Sequence, residues 1–167
     1  MIRIICVGKI KEKYLEDAIL EYEKRIGKYC KLEIIEVKDE NFDESKTLLK
    51  ERDSIMKYVQ DKDYIITMEI DGNQISSKEF AKKIDSIQST NSNITFIIGG
   101  SYGLHEDIKA LSNYKLSFSK MTFPHQLFRV ILLEQIYRAF KINNNETYHK
   151  YVIICLIMIG IIYYLIK

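Results

Sequence analysis

Short apolar runs alternate with longer amphipathic segments along the first 141 residues of the chain. The short runs are rich in β-branched residues, which is typical of buried strands, and they cover residues 2–7, 32–37, 64–70, 94–98 and 115–118. The longer segments carry apolar residues at helical spacing and predict helices over 11–28, 43–60, the stretch after Ser76, 104–111 and 124–141. Strands that alternate with helices predict a single α/β domain with a parallel sheet and helices on both faces.

Local signals refine this pattern at two places. Ser76, followed three residues later by Glu79, is a capping box and predicts the start of the third helix. Asp71-Gly72 predicts the turn that ends the third strand.

The polar second helix is predicted to bury the apolar residues of one side, namely Leu48, Leu49, Ile55, Met56 and Val59.

Three loops leave the carboxyl ends of predicted strands, which is where parallel sheets bind ligands. They follow Ile70, Ile98 and Phe118. The second loop, Gly99–Gly103, lacks the spacing of a dinucleotide-binding loop, a Walker A loop and a nucleophile elbow. It is compatible with a ligand that approaches the backbone and with a tight strand-to-helix turn.

The third loop joins a short strand to a long helix and contains the only proline of the chain, Pro124. Proline suits the first turn of a helix because its φ is fixed and it lacks a donor. The loop is apolar and short, with a few polar residues among its Phe and Met side chains. This composition predicts a wall for a flat, apolar ligand.

Composition narrows the class of protein. The 167 residues are 47% hydrophobic and 29% charged, as in a folded domain, and the net charge of +2 does not identify a nucleic-acid binder. Three widely spaced cysteines form no disulfide framework or zinc motif, and the three histidines form no ligand pair, so we expect no metal. With no signal peptide after Met1, the sequence predicts a cytoplasmic protein.

Residues 151–167 are unusually apolar, with fifteen apolar residues, Gly160 and a terminal Lys167. A helix of this length would span roughly 25 Å, which is marginal for a membrane core of about 30 Å. Two interpretations stay open: a short tail anchor, or an appended segment outside the fold. We therefore predict a domain over 1–150 followed by a hydrophobic extension over 151–167.

The last predicted helix combines charged residues with a broad apolar stripe. Glu134 and Arg138 are four residues apart and can pair on one face. Helices that are apolar on more than one side often pack against a second subunit. Its charges are compatible with a solvated face and with a binding site, as is His125 at its start.

The order of these motifs is similar to that of one known family. The chain resembles the RlmH family of SPOUT-class methyltransferases, which act on large-subunit ribosomal RNA. The resemblance covers residues 1 to about 150 and is carried by segments in the same order: Val7-Gly8-Lys9, Glu21–Arg25, Ile34–Val37, Phe96–Leu104, Leu116–Gln126, Glu134–Phe140 and Tyr148-His149-Lys150.

The resemblance implies a SPOUT fold with a C-terminal trefoil knot, a rare exception to the rule against knotted chains. It also implies a homodimer that uses S-adenosyl-L-methionine to methylate N3 of a pseudouridine in 23S rRNA on the assembled ribosome. Residues that match the family's cofactor motif are Met68, Gly99, Phe118, Ser119, Lys120, Met121, Thr122 and Phe123.

The resemblance also supplies candidates for chemistry and for RNA binding. His149, with Tyr148 beside it, and Arg138 are the candidate catalytic residues, while Arg129 and Lys150 are the candidate phosphate ligands. The hydrophobic extension departs from the family pattern. Two alternatives therefore stay open: a catalytically impaired ribosome- or RNA-binding SPOUT protein, and a variant tethered to a membrane through residues 151–167.

Overall fold

The computed structural model describes residues 1–91 and 93–147. Its strands are β1 (Ile2–Val7), β2 (Leu32–Val37), β3 (Asp63–Gln74), β4 (Asn93–Ile98) and β5 (Tyr114–Ser117). They form one sheet in the order β2-β1-β4-β3-β5, and every neighbouring pair is parallel. The predicted parallel α/β sheet is confirmed, whereas the trefoil knot and the domain boundary at residue 150 stay predictions.

Helices cover both faces of the sheet. They are α1 (Lys13–Ile26), α2 (Glu44–Met56), α3 (Ser77–Thr90), α4 (Glu106–Ala110) and α5 (His125–Asn143). The alternation of side chains along β1 shows the two layers, because Ile4 and Cys6 pack with α1, α3 and α5 while Ile5 and Val7 pack with α2 and α4. The central strands β1 and β4 are therefore buried on both sides, as the continuous hydrophobicity of β1 predicted.

Two local predictions at helix starts have clear outcomes. Ser76 accepts a hydrogen bond from the Glu79 amide, and the Glu79 carboxylate accepts one from the Ser76 amide, so the capping box is confirmed. Pro124 is the N-cap of α5 and not its first helical residue. Its ψ of 132° is extended, so the chain enters the helix only at His125.

The predicted turn at Asp71-Gly72 is wrong, because β3 continues to Gln74. The strand contains an irregularity instead: Met68 and Asn73 both pair with Leu116 of β5, and the residues between them bulge out. Gly72 permits this close approach, since a Cβ there would lie 2.7 Å from the Leu116 carbonyl carbon.

The predicted buried side of the second helix is only partly correct. Ile55 is buried, but Leu49 and Met56 are exposed, and α2 buries the polar residues Thr47 and Glu51 instead. These two side chains accept hydrogen bonds from backbone amides of the loop after β2, those of Phe42 and Glu40. Buried polar groups are tolerated where they satisfy backbone donors, and hydrophobic periodicity cannot show this.

The last helix brings distant parts of the chain together. α5 packs against α1 and α3 on one face of the sheet, and its first turn lies near the end of β1. None of the described helices is both long and apolar enough to cross a membrane. The candidate tail anchor, residues 151–167, lies outside the described residues.

Candidate functional site

The three segments that the sequence singled out enclose one cavity at the carboxyl edge of the sheet, although the first of them is the continuing end of β3 and not a loop. The cavity has a volume of about 540 Å³, within the usual range for small-molecule sites. Its lining comes from the ends of β3, β4 and β5 and from the start of α5: Met68–Asp71, Ile98–Ser101, Gly103, Leu104, Lys109, Leu116–Ser119, Met121–Phe123, His125 and Phe128.

Most of the predicted cofactor residues line this cavity. Met68 and Gly99 contribute from β3 and from the loop after β4, and the loop after β5 contributes Phe118, Ser119, Met121, Thr122 and Phe123. Lys120 does not line it. This lysine borders a neighbouring depression of about 450 Å³ together with Asp71 and Gly72.

The glycine loop closes tightly on itself below the cavity. The Gly103 amide donates to the Gly100 carbonyl at 3.0 Å, and the Gly103 φ is +81°. A Cβ on Gly99 would lie 2.2 Å from the Gly103 carbonyl oxygen, a distance that no packing adjustment tolerates. The tight turn is therefore confirmed, and it brings the loop backbone to the cavity wall, whereas the approach of a ligand to this backbone stays a prediction.

The loop after β5 is held by its own side chains. The Ser117 hydroxyl donates to the Ser119 carbonyl at 3.1 Å, and the Ser119 hydroxyl accepts from the Met121 amide at 2.9 Å. Phe118 packs against Phe128 of α5, with ring centroids 5.3 Å apart. Local hydrogen bonds and aromatic packing thus shape an apolar wall without regular secondary structure.

Acidic side chains at the end of β3 add a polar side to the cavity, and the sequence analysis missed them. The Glu69 carboxylate accepts a hydrogen bond from the Thr67 hydroxyl at 2.6 Å and lies 3.7 Å from the Lys115 ammonium. Lys109 lines the same side, and its pKa is raised above the usual value, chiefly by a hydrogen bond to Glu106. The position of Glu69, directly after Met68, was the available signal.

The prediction that Arg129 binds phosphate is wrong in this structure, because its side chain is in the interior. Arg129 is 1% exposed, and its guanidinium bonds the Glu36 carboxylate at 2.6 Å and the Val7 carbonyl at 3.0 Å. A third bond reaches the Gly8 carbonyl at 2.5 Å. A buried cation needs such partners, and they leave it no path to a phosphate in solvent.

Arg138 is the one predicted catalytic residue that lies within the described part of the chain. Arg138 forms the predicted ion pair with Glu134, with an Nε–Oε1 distance of 2.9 Å, in the second half of α5. It is not among the residues that line the cavity. Tyr148, His149 and Lys150 lie outside the described residues.

The described histidines have separate surroundings. His125 lines the cavity, and His105 caps α4, where its Nδ1 accepts from the Asp107 amide at 3.1 Å. Within residues 1–91 and 93–147, no group of His, Cys, Asp and Glu side chains has the arrangement of a metal site.

One buried carboxylate lies directly behind the glycine loop. Glu51 of α2 is 3% exposed, and its Oε2 has no hydrogen-bond partner among the described residues. A Cβ on Gly100 would lie 2.7 Å from this oxygen, so the carboxylate occupies the space that a side chain would need. Burial is the main cause that raises the pKa of the Glu51 carboxyl above its usual value.

Comparisons with known structures agree with the fold. The chain superimposes on a tRNA (m1G37) methyltransferase from Aquifex aeolicus with a TM-score of 0.50 and 12% identity, covering 82% of this chain and 69% of that one. A probable methylase family protein from Haemophilus influenzae gives a TM-score of 0.55 and 15% identity, covering 90% and 70%. At such identities the likeness concerns the fold alone.

Relatives identified by sequence share a much larger fraction of their residues with this chain than these two structures do. A putative ribosomal RNA large subunit methyltransferase H from Methanococcus maripaludis is 57% identical over 157 residues, covering 89% of this chain and 99% of the relative. Ribosomal RNA large subunit methyltransferase H from Clostridium beijerinckii is 54% identical with the same coverage. The model of the predicted SPOUT methyltransferase family matches residues 1–149. The chain therefore belongs to the SPOUT methyltransferase family.

Proposed function

We propose that this protein transfers a methyl group from S-adenosyl-L-methionine to large-subunit ribosomal RNA. The observation that carries the proposal is the cavity formed by the ends of β3, β4 and β5, lined by seven of the eight predicted donor residues. Relatives that share more than half of their residues with the chain are named for this activity. The proposed target is N3 of a pseudouridine in 23S rRNA on the assembled ribosome, which places the enzyme in the cytoplasm.

The cavity fits the proposed donor in shape and in chemistry. Phe118, Phe123 and Leu116 supply apolar surface for a flat heterocycle, and Gly99 lets the backbone approach its edge. The Glu69 carboxylate, already on the wall, can accept hydrogen bonds from ribose hydroxyls or from an ammonium group. When bound, S-adenosyl-L-methionine supplies a methyl group made electrophilic by its sulfonium.

The chain's own residues then have two tasks. The apolar walls exclude water and hold the reactants in line, and such positioning accounts for a large part of the acceleration in methyl transfer. A hydrogen-bonding group must also help the target nitrogen lose its proton. We assign this role to His149, oriented by Tyr148, with Lys150 and Arg138 as cations that hold the RNA.

We further propose that the active enzyme is a homodimer with a composite site. Met121 is 75% exposed at the cavity mouth, and Leu127 is 40% exposed in the first turn of α5, so an apolar surface continues from the cavity onto the helix. Arg138 does not reach the cavity of its own subunit. A second copy packed on this surface would cover the mouth and bring its own α5 and C-terminal segment to it.

The knot belongs to the same proposal. The loop after β5 and the glycine loop face one cavity, and α5 then crosses the sheet to pack against α1 and α3. These are the parts of the chain that the predicted trefoil threading would bring together.

A labelled-methyl assay tests the function directly. We expect S-adenosyl-L-methionine to raise the melting temperature of the protein and labelled methyl to enter ribosomes purified from a strain that lacks this modification. The full chain should be compared with a chain that ends at Lys150, and fractionation of the full chain tests tethering by residues 151–167.

The outcomes separate the alternatives. Donor binding with methyl transfer supports the proposal. Ribosome binding without transfer by either chain would overturn it in favour of a catalytically silent RNA-binding protein. Transfer by the shorter chain alone would show that the hydrophobic extension impairs an otherwise competent enzyme.

A further inference from the structure

The loop between β1 and α1 is held by side chains from distant parts of the sequence. Arg129 of α5 donates to the carbonyls of Val7 and Gly8, at 3.0 and 2.5 Å. The Glu36 carboxylate at the end of β2 accepts from the Ile10 amide at 3.0 Å, and it also binds the Arg129 guanidinium. One buried arginine and one carboxylate therefore hold the first half of the loop.

The second half of the loop has its own anchor. The Gln126 side-chain carbonyl accepts from the Lys11 amide at 2.7 Å, and Gln126 follows the cavity residue His125 in the first turn of α5. The backbone groups of Val7, Gly8, Ile10 and Lys11 are all engaged by α5 or β2. A loop bound at so many points has little conformational freedom left to lose on binding.

The loop lies at the same edge of the sheet as the cavity. β1 pairs with β4 up to Cys6 and Ile98, so Gly8 and Gly99 leave neighbouring strands in the same direction. Its anchors Gln126 and Arg129 lie on α5 directly after the apolar wall that ends at Phe123. The loop therefore follows the strand next to β4, whose carboxyl end lines the cavity.

The residues Gly8–Lys11 of this loop expose two cations, and the exposed Glu12 follows them. Lys9 and Lys11 are exposed, and neither forms an ion pair within residues 1–91 and 93–147. Nearby lysines differ, because Lys13 pairs with Asp17 at 3.0 Å and Lys38 with Glu40 at 3.2 Å. Two available ammonium groups on a fixed backbone suit the phosphates of a nucleic acid.

We propose that the Gly8–Lys11 loop is a preorganised phosphate-binding surface that positions the RNA target beside the cavity. The proposal rests on the proposed function for the identity of the RNA. It assigns the phosphate contacts to Lys9 and Lys11, and it makes Arg129 the residue that holds their backbone. Anionic lipid is the competing partner for such lysines, and the experiment includes it.

The test compares two double variants of the full chain. Lys9→Gln/Lys11→Gln removes the loop cations, and Lys57→Gln/Lys62→Gln removes two exposed lysines that precede β3, at the opposite edge of the sheet. Binding to purified ribosomes is measured over a series of salt concentrations, with S-adenosyl-L-methionine affinity measured separately. Each lost phosphate contact should reduce the slope of log K against log salt by about 0.7 to 0.9.

We expect the loop variant to bind ribosomes more weakly, with a shallower salt dependence and unchanged donor affinity, and the control variant to match the wild type. Equal slopes for loop variant and wild type would overturn the proposal. The proposal would also be overturned if the loop variant lost binding only to vesicles that contain anionic lipid and kept wild-type binding to ribosomes. Salt-dependent ribosome binding that needs Lys9 and Lys11, without methyl transfer by the wild type, would uphold the loop assignment while rejecting the proposed enzymatic function.

Gln126→Ala tests the preorganisation itself, because it frees the Lys11 amide and leaves both lysines in place. We expect weaker ribosome binding with an unchanged salt slope, since the number of phosphate contacts stays the same. Wild-type affinity in this variant would show that fixing the backbone contributes nothing.

Discussion

Arg129 and Arg138 show how much a residue's role depends on its neighbours. Both are arginines on the same helix, and the resemblance to the family assigned Arg129 to phosphate binding and Arg138 to catalysis. Arg129 is buried against the Glu36 carboxylate and two β1 carbonyls, whereas Arg138 pairs with Glu134 along the helix. Helical spacing predicts the second pair, because its partners are four residues apart. The first depends on groups more than ninety residues away.

The buried carboxyl group of Glu51 makes the stability of the protein depend on pH. Its carboxyl has a higher pKa in the folded protein than in the unfolded chain, chiefly because of burial. The native state therefore binds this proton more tightly, so the contribution of Glu51 to the stability of the fold is greatest below the unfolded pKa, about 4.3, and is lost as pH rises through the raised folded value.

Glu51→Gln removes this charge, so we expect the variant to be more stable than the wild type near neutral pH, by roughly 1 kcal/mol. The gain should vanish near pH 4, where the wild-type carboxyl is already protonated. Urea unfolding at both pH values measures it, with the exposed Glu44→Gln on the same helix as control. Lower stability of Glu51→Gln at neutral pH would contradict the interpretation.

At the scale of elements, glycines decide how strand ends meet. Gly72 lets β3 bulge against β5, and Gly99 lets the chain return on itself after β4. The sequence shows glycine at both places but assigns Gly72 to a turn, because Asp-Gly is a turn signal in isolation. In the folded protein, Asn73 and Gln74 pair with Leu116 and Ser117 of β5, and this pairing extends β3 beyond Gly72.

The glycine loop offers a matched pair of variants. Gly99→Ala would place its Cβ 2.2 Å from the Gly103 carbonyl oxygen, so we expect the loop to open and S-adenosyl-L-methionine affinity to fall by tenfold or more, about 1.4 kcal/mol. Gly103→Ala meets no atom within 4 Å and suffers only from its positive φ, a cost of roughly 1–2 kcal/mol in stability.

Calorimetric titration with S-adenosyl-L-methionine and thermal unfolding separate the two effects. The Gly103 variant, whose added Cβ meets no atom, should melt at a lower temperature and lose less donor affinity than Gly99→Ala. Wild-type donor affinity in Gly99→Ala would show that this loop does not form the donor site.

For the molecule as a whole, the important exposed apolar surface is the one at the cavity mouth. It runs from Met121 and Phe123 at the cavity mouth to Leu127 on α5. Apolar area next to an open site is typical of a surface covered by a second subunit, and a homodimer would cover it.

Leu127→Asp should shift the protein from dimer to monomer, because it places a charge in an interface that would otherwise be apolar. Leu111→Asp is the control, since Leu111 is also 40% exposed but lies after α4, on the other face of the sheet. Sedimentation velocity over a range of protein concentrations measures both. A dimer of unchanged affinity in Leu127→Asp would place the interface elsewhere.

The pattern of apolar and amphipathic segments was sufficient to predict the class of the fold and the sheet edge at which the cavity lies. Strand and helix order, the capping box and the loops after β4 and β5 all follow from local patterns, because burial on both faces of a strand and the start of a helix leave signals within a few residues. The resemblance of ordered motifs to one family supplied the predicted donor residues, and all of them except Lys120 line the cavity.

The surroundings of each polar group, in contrast, could be identified only in the folded chain. The tertiary structure buried Arg129 and Glu51, extended β3 through Asp71-Gly72, placed Glu69 on the cavity wall and fixed the Gly8–Lys11 loop. The physical reason is the same in each case. Hydrophobic periodicity records which face of an element is buried, whereas hydrogen bonds and charge pairs depend on groups that the fold brings together from far along the chain.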